Sequence, residues 1–278
     1  MIIGNKELAD YYAFDLKNGF PFFTPKNLLL VDALIRYNSN YSVTADKSHP
    51  EYKESYSYIL ENKKDKFFNF DGYELEKVVR SIDKINSTHL TSEGNSLPKG
   101  ATHNGIMKTV NRIKEINNLK ERMINADPEV VFEIASAVDT KYNFSFATKF
   151  CAYVSEIALD ITEGYCIYDD IVQAILPLYI YHYVDKETAI RNCKIINKNK
   201  PNIRIESNVS RFKSKTNQNG YREYRELIDS VIKGIENKDG IKVTYSEFDH
   251  MLWYYFKGSK RRIEIALKTL LQDNNLQF

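Results

Sequence analysis

The chain has 278 residues, 43% of them hydrophobic and 27% charged, with a formal net charge of +2. That is enough chain for one large or two modest domains with a sizeable core. No apolar run reaches the ~18 residues of a membrane span, and Met1–Glu7 turns polar too soon for a signal peptide. The expectation is a cytoplasmic protein with no membrane partner.

Taken in chain order, apolar residues recur at a spacing of three to four over Leu28–Ile35, Leu75–Ile85 and Ile106–Ile124, the period of a half-buried helix. Thr91–Asn104, rich in Gly, Ser, Asn and Pro, reads as a loop. Asp127-Pro128 is an N-cap followed by a first-turn proline and predicts a helix over Glu129–Ala137. Phe146–Leu159 continues the helical spacing, Gly164 marks a turn, and Ile171–Leu176 predicts the next helix. Asn197–Gly220 reads as irregular. Helical spacing returns over Leu227–Ile235 and Ile263–Leu271, and Thr244-Tyr245-Ser246-Glu247 is a capping box opening a helix to Phe256. No segment alternates strictly. The fold class is therefore all-α, with roughly ten helices, either as a single unit over 1–278 or as two lobes.

Charge is unevenly distributed. From Arg191 to Arg225 there are ten Lys or Arg against Glu206 and Glu223, a net +8, which leaves −6 for the rest. Such a stripe attracts a phosphate backbone or is simply a solvated linker. Arg211, Lys213 and Lys215 stand at alternate positions, so an extended segment aims all three one way. Three scattered cysteines, Cys151, Cys166 and Cys193, fit neither a disulfide framework nor a cysteine zinc site. The five histidines show no ligand pairing, and no metal is expected. Asp249-His250 beside Trp253 is either a small polar site or part of the packing.

The residues that carry chemistry are Lys149 and Asp169, twenty positions apart. A helix, a turn and a return bridge that separation, so an amine and a carboxylate can meet at the mouth of a helical hairpin. An amine attacks an electrophilic carbon; a carboxylate accepts its proton or stabilises a nearby cation. On a helical wheel Phe146, Phe150, Val154 and Ile157 share one face, with Lys149 off its edge near Tyr153. The bland alternative is a boundary lysine whose stem covers apolar surface while its amine reaches water. Asp169 is equally well placed to cap the helix that follows, and the adjacent Asp170 is a second candidate for the functional carboxylate.

Ala147-Thr148-Lys149, Ile157-Ala158-Leu159-Asp160 and Ile167-Tyr168-Asp169 together resemble the catalytic hairpin of the helix-hairpin-helix DNA glycosylases, in particular the 8-oxoguanine branch. The resemblance covers about 30 residues. It implies an all-helical fold of two lobes with a cleft between them, a catalytic hairpin lobe over 101–185, and a basic segment with C-terminal helices over 186–278. It implies a glycosylase, with possible lyase activity, acting on double-stranded DNA with a flipped base. Lys149 is then the nucleophile at the sugar C1′ and Asp169 the stabilising carboxylate, with no cofactor. Asn38 or Asn40, after the first long helix, fills the gap left by the flipped base in this scheme; the plain reading of Asn38-Ser39-Asn40 is a helix end and turn. The family precedes its lysine with a Leu-Pro-Gly-Val-Gly turn that binds a phosphate. Here 141–146 has no glycine, so that turn is absent or differently built. A genome-surveillance or phage-defence setting is compatible with this departure. The rival reading is a non-catalytic helical protein that binds nucleic acid or another protein.

Overall fold

The structure is a computed structural model, and it describes residues 14–17, 20–39, 53–62, 64, 67–69, 72–86, 88, 90, 104–139, 141–196 and 204–257. The described chain is mostly helical. Its α-helices are α1 (Pro25–Ser39), α2 (Tyr56–Asn62), α3 (Gly72–Asn86), α4 (Asn104–Glu115), α5 (Leu119–Ile124), α6 (Pro128–Ala135), α7 (Phe144–Tyr153), α8 (Asp170–Tyr183), α9 (Lys186–Arg191), α10 (Gly220–Asp239) and α11 (Tyr245–Phe256). A π-helical turn, Val154–Ala158, continues α7. Among the described residues, strands form two antiparallel pairs: β1 (Leu16–Lys17) with β2 (Phe20–Pro21), and β3 (Cys193–Ile196) with β4 (Arg204–Ser207). No helix among the described residues is long and apolar enough to cross a membrane.

The caps read from the sequence form. Asp127 accepts a hydrogen bond from the Glu129 amide, with Pro128 opening α6. Thr244 and Glu247 complete a reciprocal capping box at α11. These motifs are legible because the bonds they make are local and satisfy amides a helix start leaves orphaned.

Three expectations are corrected. The stretch Ile106–Ile124 is two helices, α4 and α5, because Asn118 sits in the left-handed region (φ 53°) and breaks the path. Asparagine tolerates that conformation better than most residues, and the apolar period simply resumes beyond it. The helix expected to reach Ala137 ends at Ala135, where Ser136 closes the last turn. The region 197–220, read as irregular, contains β4 and a 3₁₀ turn at Val209–Lys213. Its partner β3, with only four residues, is too short to reveal an alternation. Thr91–Asn104 apart from Asn104, and Ile263–Leu271, lie outside the described residues.

The chain divides into two compact units, each assembled from separate stretches. One comprises 1–37, 169–212 and 223–278; the other comprises 38–168 and 213–222. In the first, the buried apolar side of α8 (Val172, Ile175, Leu176, Tyr179) meets α11 and the β1–β2 hairpin. Tyr179 donates to the Pro21 carbonyl (2.8 Å), and Phe23 stacks on Phe248 with ring centroids 5.7 Å apart. A Cβ at Gly234 of α10 would stand 2.1 Å from the Tyr183 carbonyl oxygen, so only glycine allows α10 this approach to α8.

In the second unit, α7 packs against α6 and α3, and the π turn rests on α2. Val78, Val79 and Ile82 of α3, Val130 and Ile134 of α6, and Phe146 and Phe150 of α7 are buried in this core. The partly exposed Arg122 of α5 binds Asp127 (2.6 Å) and Glu133 (2.7 Å), and Arg112 reaches Glu133 from α4 (2.8 Å). Burial lowers the Arg122 pKa, but its two carboxylate partners more than offset this, and the net shift is upward.

Candidate functional site

Lys149 occupies the interior of α7, and its residue is only 9% exposed. This differs from a lysine at the edge of an apolar face. The wheel placed it off the apolar face, but α7 is covered on most sides: 144, 146–148 and 150–152 are all buried. Helical periodicity registers one apolar face and cannot foresee a helix enclosed on several. Among the described residues the Lys149 amine forms no hydrogen bond or ion pair. Thr148 beside it donates to the Ser145 carbonyl and accepts the Tyr168 amide (3.1 Å each).

The turn before α7 contains no glycine, as the sequence shows. It is closed by a bridge between Val138 and Lys141 and by the Asn143 amide donating to the Ala135 carbonyl (2.9 Å). Asn143 stands at the N-cap of α7, yet its side chain does not cap the helix. Burial lowers the Lys141 pKa.

Asp169 caps α8. Its Oδ1 accepts the Ile171 amide (2.9 Å) and the Val172 amide (2.8 Å). These bonds fix the direction of the carboxylate and place its charge at the positive end of the helix. Asp170 is the first residue of α8 and is exposed. Lys149 belongs to the 38–168 unit and Asp169 to the other.

The remaining expected site residues are scattered. Asn38 lies in the last turn of α1, with its side chain outside the described residues; Asn40 lies outside them altogether. The alternate aim expected of Arg211, Lys213 and Lys215 is corrected. Residues 209–213 form a 3₁₀ turn rather than an extended segment, and at three residues per turn positions i and i+2 point apart. Arg211 lies 4.5 Å from the Phe212 ring and donates to the Arg191 carbonyl (3.4 Å). Lys213 sits 5.8 Å from the Tyr168 ring, and Lys215 donates to the Asp139 carbonyl (3.2 Å).

Cys151 and Cys166 are buried and Cys193 is half-buried, all as free thiols. Burial pushes the Cys151 pKa up and that of Cys193 up to about 11, so neither is a ready nucleophile. Among the described residues no group of three His, Cys, Asp or Glu could hold a metal ion.

One group of residues around α7 was read only in part from the sequence, which sets Lys149 near Tyr153 but singles out neither Tyr56 nor Glu156. Tyr153 is four positions beyond Lys149, and its ring stacks on Tyr56 of α2 at 4.7 Å between centroids and 13° between planes. The Tyr153 hydroxyl donates to Asn86 Oδ1 (3.0 Å). Glu156 follows in the π turn, where burial raises its carboxyl pKa. Among the described residues this carboxyl has no hydrogen-bond or ion-pair partner. Burial also pushes the Tyr56 hydroxyl up to about 12, with Glu156 adding to the rise. The spacing 149, 153, 156 is a helical-face signal; Tyr56, nearly a hundred residues away, has no local signal.

A family model, HI_0787_N, described as an N-terminal domain, matches residues 39–158. The match covers less than half of the chain, lies within the 38–168 part of one compact unit, and includes Lys149, Tyr153 and Glu156. Comparison with curated proteins and with solved structures gives no match.

Proposed function

We propose that the chain is a DNA glycosylase-like enzyme in which Lys149 is the nucleophile. The observation that carries this reading is the burial of Lys149 within α7, at 9% exposure. The enclosed helix holds the lysine stem in place, and a positioned amine can act as a nucleophile.

In this reading Nζ bonds to C1′ of the target nucleotide as the N-glycosidic bond breaks. The base leaves with the bonding pair and takes up a proton. Opening of the sugar ring turns the adduct into a Schiff base, from which strand cleavage can follow. Asp169 is assigned the stabilisation of positive charge on the sugar. That role comes from the resemblance of Ile167-Tyr168-Asp169 to the family's acidic step and is supported by the fixed direction of the capping carboxylate. The two-lobed helix-hairpin-helix architecture, double-stranded DNA as partner, Asn38 or Asn40 as the wedge and Arg211, Lys213 and Lys215 as phosphate contacts belong to the same proposal.

Borohydride trapping on oligonucleotides, each with one modified base or an abasic site, tests it. Wild-type protein is expected to form a covalent adduct with at least one duplex, and Lys149→Gln to form none. Undiminished trapping by Lys149→Gln, or no trapping of any duplex by the wild type, overturns the reading.

A further inference from the structure

We infer that Glu156 is a specificity-determining residue of the Lys149 site, and that its carboxyl reads the edge of the released base. The inference rests on the glycosylase reading above and names the group that selects the substrate.

The placement comes first. Residues four apart on a helix lie on one side, and residues seven apart nearly eclipse. Lys149, Tyr153 and Glu156 therefore run along one flank of α7 and its π-helical continuation. The wider π turn shifts Glu156 somewhat around the axis without taking it to the far side. Lys149 and Glu156 begin roughly 10 Å apart along the helix, and both side chains are long enough to lean towards each other. A nucleoside has the matching polarity, with its reactive C1′ at one end and its hydrogen-bonding edge at the other. Tyr153, between them, carries an aromatic ring already stacked on Tyr56, and aromatic rings are the usual stacking surface for an unstacked base.

The chemistry follows. Glu156 is half-buried and shows no hydrogen bond or ion pair among the described residues, while other carboxylates of this unit are engaged: Asp127 and Glu133 with Arg122, Asp83 with Thr88 and the Leu90 amide. Burial shifts it towards the neutral acid, which offers one donor beside one acceptor. That pattern complements a base edge carrying an acceptor beside a donor, such as the lactam edge of an oxidised or deaminated purine or of uracil. An ionised carboxylate offers only acceptors and fits such an edge poorly.

The test compares base release with trapping at an abasic site, using duplexes that contain 8-oxoguanine, hypoxanthine, uracil or an abasic site. Glu156→Gln keeps a donor beside an acceptor at every pH. Glu156→Leu removes both. The ratio of base release to abasic-site trapping should fall at least about tenfold in Glu156→Leu and recover in Glu156→Gln. Base release by wild type, taken relative to Glu156→Gln, should decline as pH rises and Glu156 ionises. Thermal melting of both variants checks that they fold. A Leu variant with the wild-type ratio on every base, or a Gln variant whose pH profile parallels wild type, overturns the inference while leaving Lys149 trapping intact. Absence of trapping in the wild type overturns the glycosylase reading and this inference with it.

Discussion

Arg122 and Lys149 are both cations of the same compact unit, the first partly exposed and the second buried, and they are treated in opposite ways. Arg122 is met by Asp127 and Glu133 at 2.6 and 2.7 Å, and Glu133 is itself shared with Arg112. Lys149, although the more buried, has no ion-pair or hydrogen-bond partner among the described residues, and Glu156 on the same helical flank is alike. A charge that serves the fold is expected to come with its counter-charge, because desolvation must be offset in the folded state itself. Charges that show none among the described residues are candidates for a partner that arrives from outside.

The largest expected effect separates the two cations most sharply. Lys149→Met should abolish covalent trapping altogether. It should leave the fold at least as stable as wild type, because an apolar chain of similar volume replaces a lysine with no ion pair among the described residues. Trapping and urea unfolding check the two halves. If Lys149→Met instead lowers the unfolding midpoint, Lys149 is structural and the contrast with Arg122 collapses.

Arg122→Met should behave oppositely, costing about 2 kcal/mol, since it strands part of a carboxylate network made of charge-assisted hydrogen bonds. The urea midpoint should fall with an unchanged slope. A cost below ~0.5 kcal/mol would place the Arg122 network with ordinary surface pairs such as Arg80–Glu76, whose arginine side chain is 46% exposed.

What the sequence revealed follows the range of the interactions involved. The cap of α6 and the capping box of α11 are written in four adjacent residues, and both form. Thr244→Ala should cost about 1 kcal/mol of stability, and an unchanged melting temperature would contradict the box. The helical periods of α1, α3, α7 and α10 were equally legible. The break at Asn118 was not, because a left-handed residue leaves the apolar pattern intact on both sides. The β3–β4 pair was not, because four-residue strands give two alternations at most. Within the candidate site, Lys149 and the capping role of Asp169 were visible. Glu156 was visible only in principle: a carboxylate seven residues after a lysine normally reads as a solvated face, and the α2 helix that meets its π turn is supplied from far upstream.

The smallest effect tests Glu156 through stability alone. In the unfolded chain Glu156 titrates near its ordinary value of 4.5; in the folded protein burial raises that value. Between the two values the folded state holds a proton that the unfolded state has released. The favourable contribution of the neutral acid is therefore complete below about pH 4.5 and is lost as pH rises through the folded value, beyond which the deficit stays constant. Glutamine does not titrate. Glu156→Gln should match wild type in acid, gain on it as pH rises, and hold a constant advantage thereafter, in melts run from pH 4 to 8. An advantage that is flat with pH would mean that Glu156 is not shifted by burial. An advantage that shrinks with rising pH would mean that the carboxylate is held by a cation in the folded state. Glu156 would then stand with Asp127 and Glu133 as a carboxylate engaged within the fold.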